Sequence, residues 1–260
     1  MNANAGTVRL AIAGPIASVV FDRPAARNAM TWTMYQELGA ICDRIRNEPS
    51  VRVMSLRGAG GEAFVAGTDI EQFKAFRDGQ AGVDYERSID EAMARLEGLP
   101  IATVAVIEGW CVGGGLAIAT ACDIRIATPS ARMGVPIAKT LGNCLSMGSI
   151  ARLVAAFGRP RVQRMLIAAE ILTAEEALGC GYLAQVVGAD AIDATCASLC
   201  QRLATLAPVT QAVSKEGLRR LLLNNLPDAQ DLIMRTYGSE DFREGVTAFT
   251  EKRPPVWRGR

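Results

Sequence analysis

Two glycine-containing segments of the sequence have the residue types needed to present backbone amides to a ligand. The first is FVAGTDI at residues 64–70, and the second is the triplet GGG at residues 113–115. Each stands where a predicted strand gives way to a predicted helix. Helix N-termini expose N–H groups without intrahelical partners, and two such amides meeting at one oxygen form an oxyanion hole. Taken alone, either segment is more typical of a tight packing turn.

The ionisable residues limit the catalysis available beside these loops. The chain has no histidine, which excludes Ser-His and Cys-His nucleophile pairs within it. Its seven cysteines form no CxxC pair and lack a histidine to complete a zinc site, so we expect no metal and mostly reduced, buried thiols. A general acid or base must therefore be a carboxylate, lysine, tyrosine, cysteine or water.

Composition excludes several broad classes of protein. The 260 residues are 50% hydrophobic and 21% charged, with a net charge of +1, which disfavours disorder and a nucleic-acid partner. Charge or glycine interrupts the apolar runs before the roughly 20 residues that a membrane helix needs. The N-terminus lacks a basic region followed by an apolar one, so we expect no secretory signal, no membrane partner and a cytoplasmic location.

The predicted elements alternate between strands and helices. VRLAIAG and IASVVFDRP predict a hairpin around Gly14-Pro15, and the apolar spacing after Thr31 predicts a helix that this threonine caps. IATVAVIEG and DIRIATPS flank the glycine-opened helix, which predicts a βαβ-like crossover in a buried sheet. From Pro160 onward the chain is predicted to be mainly helical, and VTQAVSKEGLRRLLLNN should pack outside the main core.

Five segments in this order resemble one known family over nearly the whole chain. They are FDRPAARNAMT, FVAGTDI, IATVAVIEGWCVGGGLAIATACDIRIA, ILTAEEALGCGYLAQVV and EDFREGVTAFTEKRPPVWRGR. Together they resemble the crotonase superfamily, also called the enoyl-CoA hydratase/isomerase superfamily. The combination is specific for the superfamily and not for one reaction within it.

The resemblance implies an α/β fold: a crotonase-like spiral of β-β-α units that forms two roughly perpendicular sheets, with a helical C-terminal region. Residues 1–200 would form the spiral core with the CoA thioester site, and residues 201–260 a helical trimerisation region. The expected assembly is a homotrimer, or a hexamer that is a dimer of trimers. The expected partner is an acyl-CoA thioester, with coenzyme A as part of the substrate and no separately bound cofactor.

The resemblance also implies roles for individual residues. The oxyanion-hole amides would be those of Thr68 and Gly114, which would stabilise the negative charge on a thioester oxygen as an enolate forms. Thr68 stands where many relatives have alanine, a change that a backbone donor tolerates. A second group would contact coenzyme A, with its C-terminal members reaching the site across a subunit boundary. Its members are Arg27, Ala66, Asp69, Ile70, Phe249 and Lys252.

The sequence departs from the family at two catalytic positions. Hydratases of the family carry one glutamate three residues after the middle glycine of the triplet and another after the proline of an FGxPE-like segment. Ala117 and Ile137 occupy these positions here. Because hydration needs a group that activates water and a group that protonates the α-carbon, each contributing about 10²- to 10⁴-fold, ordinary hydration should be impaired.

Three parts of the sequence contain residues that could replace the two missing glutamates. Asn143, Cys144 and Ser146 are expected near the mouth of the pocket, although Asn143 or Ser146 could simply cap the following helix, and Cys144 could be a packing residue. Glu71 follows the AGTDI loop. The remaining candidates lie on one predicted helix, mostly on its solvated face, with one able to point inward. They are Asp84, Tyr85, Glu86, Asp90 and Glu91.

Three functions stay open at this point. The first is an acyl-CoA enzyme of the hydratase/isomerase type that stabilises a thioester enolate or oxyanion. The second keeps the oxyanion hole for thioester hydrolysis or decarboxylation. The third is a catalytically silent acyl-CoA-binding subunit.

Overall fold

The computed structural model describes residues 6–260. The strands in this range are β1 Thr7–Ala13, β2 Ile16–Asp22, β3 Val53–Gly58, β4 Ala63–Ala66, β5 Ala102–Ile107, β6 Trp110–Val112, β7 Ile124–Ala127, β8 Arg132–Gly134, β9 Ile171–Thr173 and β10 Gln185–Val186. The α-helices are α1 Trp32–Arg46, α2 Gly79–Glu97, α3 Gly114–Ala121, α4 Ile137–Thr140, α5 Met147–Phe157, α6 Arg159–Leu166, α7 Ala174–Gly179, α8 Ile192–Ala204, α9 Pro208–Leu222, α10 Gln230–Tyr237 and α11 Glu240–Thr250. Short 3-10 helices span Pro24–Ala26 and Ile70–Ala75.

The strands form two sheets through a repeated β-β-α unit. One sheet has the order β1-β2-β3-β5-β7-β10, and the other has the order β4-β6-β8-β9. In the three units that begin with β3, β5 and β7, the first strand joins the six-stranded sheet, the next joins the four-stranded sheet, and helices follow. The predicted α/β spiral with a helical C-terminal region is therefore confirmed.

The two elements predicted at the N-terminus are also confirmed. Strands β1 and β2 pair antiparallel from Thr7↔Asp22 to Ala13↔Ile16, and Gly14 supplies the left-handed φ of +58° in the turn. Helix α1 begins after Thr31, whose side chain accepts a hydrogen bond from the amide of Met34. This bond satisfies one of the donors that a helix N-terminus leaves without a partner.

The predicted crossover contains a strand that the sequence analysis missed. Strands β5 and β7 are parallel neighbours, with Val104 opposite Ile124. Between them the chain forms β6 in the second sheet before it enters α3. Three residues are too few to display a period of two, so the sequence pattern carried no signal for this strand. The GGG triplet therefore directly follows β6, a strand of the four-stranded sheet.

The helices near the C-terminus attach to the core in two different ways. Helix α8 runs continuously through residue 200 and packs Ile192, Leu199 and Leu203 against the six-stranded sheet. Helix α9 has no buried residue, as predicted, and is tethered by Lys215, whose Nζ donates to Asp123 Oδ2 at 2.8 Å. Its exposed apolar side chains are Val209, Val213, Leu218 and Leu221.

Helices α10 and α11 pack against α2 and the 3-10 helix Ile70–Ala75. Their contact is an apolar cluster that includes Phe73, Tyr237 and Phe242. The C-terminal segment thereby closes one side of the space between α2 and the glycine loops. No helix within residues 6–260 is both long enough and apolar enough to cross a membrane.

Candidate active site

A cavity of about 180 Å³ lies between the two glycine loops, α2 and the loop after α4. We call it the central cavity. Thr68 and Gly114 both line it, as do Ala66, Ile70 and Asn143. The apolar part of its wall is formed by Phe73, Ile89, Val112, Ala117, Val135, Pro136, Ile137, Leu141, Leu145, Leu153 and Phe249. Such a lining suits an apolar group whose polar end meets a small set of fixed donors.

The amide of Thr68 is a free donor at this cavity. Met30 N donates to Gly67 O and Asp69 N donates to Met30 O, so the bridge between these segments uses the groups on either side of Thr68. The amide of Gly114 is the first of α3 and has no intrahelical acceptor. Within residues 6–260 neither amide donates to another group of the chain.

Backbone conformation and close approach explain the glycine triplet. Gly113 has φ of +52°, in the left-handed region that costs other residues strain. A Cβ on Gly114 would collide with Tyr35 Oη and would lie 3.0 Å from Thr68 Oγ1. A Cβ on Gly115 would collide with the carbonyl oxygen of Val65. The two glycine loops are therefore packed backbone against backbone, as a site built from amides requires.

Three hydroxyl groups form a chain beside the two amides. Thr68 Oγ1 is 2.9 Å from Tyr35 Oη and 3.1 Å from Tyr85 Oη. Burial raises the pKa of Tyr35 to about 12 and raises the pKa of Tyr85 well above its ordinary value. Both phenols therefore stay protonated near neutral pH. The side chain of Thr68 holds the two tyrosines, while its backbone amide remains available to the cavity.

The two positions that lack glutamate both face the central cavity. Ala117 lies on α3 one turn after Gly114, and Ile137 begins α4 after Pro136. Neither side chain can carry a proton. The lining at these two positions is purely apolar, so any proton transfer in the cavity depends on another residue.

Glu86 is an inward-pointing carboxylate that the sequence analysis did not single out from its helix. Its side chain is 2% exposed and lines the central cavity. Tyr237 Oη donates to Oε1 at 2.6 Å, and the amide of Ser146 donates to Oε2 at 2.8 Å. Burial raises the pKa of Glu86 to about 7, although both hydrogen bonds act to lower it. The group therefore changes charge near neutral pH.

A sequence signal for Glu86 does exist. The buried residues Val83, Glu86, Ile89 and Met93 of α2 follow each other at helical spacings of three and four. Glu86 thus occupies an apolar stripe, where a carboxylate must have partners or a function. Asp84 and Glu91 lie on the exposed face of the same helix, whereas Tyr85 and Asp90 are partly buried, so the predicted exposure holds for two of the five candidates.

The other candidate acids and nucleophiles have ordinary structural roles. Asp90 pairs with Arg152 at 3.0 Å, and Glu71 pairs with Lys74 on the surface. Ser146 caps α5 by accepting a hydrogen bond from the amide of Ser149, which is the alternative considered from sequence. Burial raises the pKa of Cys144 to about 11, so its thiol stays protonated and is a poor nucleophile.

Asn143 lines the central cavity, and only the nitrogen of its side-chain amide has a hydrogen-bond partner among residues 6–260. Its Nδ2 donates to Tyr237 Oη at 3.1 Å. Its Oδ1 is buried, and no donor within residues 6–260 reaches it. Because a buried acceptor without a partner is costly, this oxygen is available for a donor on a ligand.

The residues expected to contact coenzyme A divide into two groups. Ala66, Ile70 and Phe249 line the central cavity, whereas the exposed Arg27 and Lys252 do not. Asp69 caps the 3-10 helix Ile70–Ala75 and forms an ion pair with Arg23 at 2.8 Å. Phe249 reaches the cavity of its own chain. Helix α11, which carries Phe249, packs on the 3-10 helix Ile70–Ala75 of the same chain, and a contribution of the C-terminal segment to a second subunit stays a prediction.

The placement of the cysteines and carboxylates bears on metal binding. Cys42, Cys111, Cys122 and Cys200 are buried, and the other three are partly buried. Residues 6–260 contain no cluster of three or more histidine, cysteine, aspartate or glutamate side chains placed to hold a metal.

The raised pKa of Glu86 predicts a pH dependence of stability. Between pH 4.5 and about 7 the folded chain keeps this carboxyl protonated while the unfolded chain loses the proton. The stabilising contribution of Glu86 is therefore fully present below pH 4.5 and is lost as the pH rises through about 7, for a total of about 3 kcal/mol.

Urea denaturation from pH 4.5 to 8 tests this expectation. Glu86→Gln should flatten the decline in the free energy of unfolding over this range, because glutamine does not titrate. Asp84→Asn, on the exposed face of the same helix, is the matched control and should keep the wild-type slope. Equal slopes for the wild-type and Glu86→Gln proteins would contradict the assignment.

Comparisons with known proteins find relatives over the whole chain. A family model described as enoyl-CoA hydratase/isomerase matches residues 11–260. A short-chain-enoyl-CoA hydratase from Clostridium acetobutylicum is 31% identical over 92% of this chain and 93% of its own length. A carnitinyl-CoA dehydratase from Proteus mirabilis is 32% identical over 98% of this chain and 99% of its own length.

One solved structure that resembles this chain belongs to an enzyme that is neither a hydratase nor a dehydratase. A methylmalonyl-CoA decarboxylase in complex with 2-nitronate-propionyl-CoA superposes with a TM-score of 0.88. It is 26% identical, and the match covers 97% of this chain and 98% of that protein. Similar sequence and fold thus accompany hydratase, dehydratase and decarboxylase activities among these proteins.

Proposed function

This chain belongs to the enoyl-CoA hydratase/isomerase family, the crotonase superfamily, and on that premise we propose that the amides of Thr68 and Gly114 polarise the thioester carbonyl of an acyl-CoA. The chain is an acyl-CoA enzyme of this family. The observation that carries the proposal is the pair of free backbone donors that line a mainly apolar cavity.

The two amides would act on charge that develops during the reaction. As an enolate or tetrahedral adduct forms, the thioester oxygen gains negative charge, and each amide shortens its hydrogen bond to that oxygen. A donor of this kind is worth about 3 kcal/mol of transition-state stabilisation. The tight packing of the triplet against Val65 and Tyr35 holds the donors in place before substrate binds, which avoids reorganisation during the reaction.

The acyl group would lie in the central cavity and the coenzyme A portion outside it. Ala66, Ile70 and Phe249 line the cavity. In this proposal the backbone atoms of Ala66 and Ile70 would meet the adenine, and Phe249 would cover the same region. Arg27 and Lys252 would meet the phosphates from the surface. Coenzyme A is part of the substrate in this proposal, and no separate cofactor takes part.

The two positions at which hydratases of the family carry their catalytic glutamates are not glutamate in this cavity. Ala117 and Ile137 leave neither a base to activate water nor an acid at those positions. The chemistry best supported is formation of an enolate that the amides stabilise. It requires one group to remove or return a proton, or a substrate that generates the enolate by itself.

Decarboxylation of a malonyl-type thioester is the second candidate function. It is favoured by the TM-score of 0.88 to a methylmalonyl-CoA decarboxylase. Loss of carbon dioxide leaves the electron pair on the α-carbon, so the enolate forms without a base. The apolar surfaces of Ala117 and Ile137 are compatible with this step.

The deciding experiment is mass spectrometry of thioesters incubated with the protein in deuterated water. Saturated acyl-CoA, enoyl-CoA, hydroxyacyl-CoA and malonyl-CoA substrates are compared. Deuterium uptake at the α-carbon supports enolate formation by proton transfer, and loss of carbon dioxide from malonyl-type thioesters supports decarboxylation. Failure of the protein to bind any of these thioesters would refute the proposed function.

We also propose a homotrimeric or hexameric assembly. Its support is the family resemblance and the apolar surface that α9 leaves uncovered at Val209, Val213, Leu218 and Leu221. Light scattering should give a mass close to three or six times the 27.7 kDa of one chain. A monomer that stays stable across the micromolar concentration range would contradict this expectation.

A further inference from the structure

The central cavity needs a proton-transferring group, and few of its wall residues can be that group. Among the described residues that line it, Glu86 is the sole carboxylate and Arg152 the sole cation. Arg152 donates to both oxygens of Glu97, at 2.7 and 2.9 Å, and its pKa is raised by those contacts. Arginine thus keeps its protons, and Glu86 remains the candidate for proton transfer.

We propose that Glu86 is the catalytic base and acid of the central cavity, taking a proton from the α-carbon of the bound acyl-CoA and returning it. This inference rests on the proposed function, since it uses the enolate that Thr68 and Gly114 stabilise. In the forward step the Glu86 carboxylate gains the proton and the C–H electron pair forms the C=C bond of the enolate. The negative charge moves from the carboxylate to the thioester oxygen, and the reverse step restores both groups.

The hydrogen bonds around Glu86 orient its carboxylate and leave a free lone pair on each of its two oxygens. Oε1 accepts one hydrogen bond from Tyr237 and Oε2 accepts one from the amide of Ser146. Each carboxylate oxygen has two lone pairs, so each keeps one for a proton. Asn143 Nδ2 donates to Tyr237 Oη, and this bond directs the single phenolic hydrogen toward Glu86. Tyr237 and Asn143 are therefore positioning residues.

Glu86 lines more than one cavity. A second cavity of about 510 Å³, the side cavity, is lined by Glu86 together with Arg87, Asp90, Glu91 and Ser146. The carboxyl thus forms part of the wall between the two cavities. A proton taken from the substrate can be exchanged for a solvent proton through the side cavity while the enolate remains bound. This exchange is what deuterium labelling measures.

Five ionisable groups face Glu86. They are Tyr35, Tyr85, Asp90, Cys144 and Tyr237. Burial keeps the three phenols and the one thiol protonated, with a pKa of about 12 for Tyr35 and about 11 for Cys144. Asp90 is held in an ion pair with Arg152. The exchange rate should therefore rise with pH through a single midpoint near 7, the pKa of Glu86.

The test follows α-deuterium incorporation into propionyl-CoA in deuterated water. A saturated thioester cannot be hydrated, so incorporation reports only enolate formation. Glu86→Gln should lower the exchange rate by about 10²-fold or more, while the dissociation constant for propionyl-CoA, measured by titration calorimetry, changes by less than about threefold. Asp84→Asn, two residues before Glu86 and on the exposed face of α2, is the control and should exchange at the wild-type rate.

Tyr237→Phe tests the catalytic role of Glu86 through the pH midpoint of the exchange profile. A purely structural role of Glu86 would leave this midpoint unchanged. Loss of its hydrogen bond to the carboxylate removes a contact that lowers the pKa of Glu86. The midpoint of the exchange profile should therefore shift to higher pH, with the maximal rate reduced less than in Glu86→Gln. Circular dichroism of both variants confirms the folded state before rates are compared.

Two results would overturn the assignment and leave the proposed function intact. One is wild-type exchange in Glu86→Gln, which would show that another group moves the proton. The other is a wild-type protein that binds propionyl-CoA without exchanging its α-protons. Failure of the wild-type protein to bind any acyl-CoA is a distinct result, because it refutes the proposed function itself and the assignment with it.

Discussion

Replacement of Gly114 with alanine is expected to lower acyl-CoA turnover by about 10²- to 10³-fold, the cost of losing one oxyanion donor. The new methyl group would collide with Tyr35 Oη and crowd Thr68 Oγ1, which are themselves hydrogen-bonded to each other. The glycine turn must then move, and its amide moves away from that of Thr68. The measurement is kcat/KM for the thioester that the wild-type protein turns over.

Two further variants make this expectation specific. Gly217→Ala lies in α9, where a Cβ meets nothing within 4 Å, and should leave turnover unchanged. Adding Tyr35→Phe to Gly114→Ala removes the oxygen that the methyl group strikes and should restore part of the lost rate. Wild-type turnover by Gly114→Ala would show that this amide is not a donor in the reaction.

Replacement of Arg152 with leucine is expected to reduce the free energy of unfolding by about 3–5 kcal/mol. The side chain is 4% exposed and holds Glu97 through two hydrogen bonds and Asp90 through a third. Removing the cation leaves the buried Glu97 carboxylate without its partner. That charge must then be neutralised or solvated at a large cost. Urea denaturation measured by circular dichroism gives the difference.

The control is an exposed ion pair on α2, the helix that carries Asp90 and Glu97. Arg87 and Asp84 lie 3.6 Å apart with side chains 62% and 60% exposed, so Arg87→Leu should change the free energy of unfolding by less than about 1 kcal/mol. Pairing Arg152→Leu with Glu97→Leu should recover much of the loss, because no unpaired charge is then left at Glu97. A loss for Arg152→Leu no larger than that for Arg87→Leu would contradict the expectation.

Local patterns predicted those parts of the fold that depend on neighbours in sequence. The hairpin at Gly14 and the capped start of α1 each arise from contacts within a few residues, and both follow from turn and capping chemistry. The β-β-α spiral needed the family resemblance, because strand β6 is too short to show a period.

The candidate site was predictable to the extent that its groups belong to the backbone. The glycine triplet and FVAGTDI indicated where the amides of Gly114 and Thr68 would lie. Glu86 was harder to recognise, because its partners Ser146 and Tyr237 are 60 and 151 residues away in the chain. Its position on the apolar stripe of α2 was the available signal, and it marks burial without naming the partners.

Thr68, Glu86, Gly114 and Phe249 of the same chain all line the central cavity. This arrangement has a genetic consequence. Two defective alleles, one altered at Gly114 and one at Glu86, would not complement each other when expressed together. Mixed particles would contain two kinds of damaged cavity and no intact one, and in a cell with one normal allele the activity would follow the fraction of normal chains.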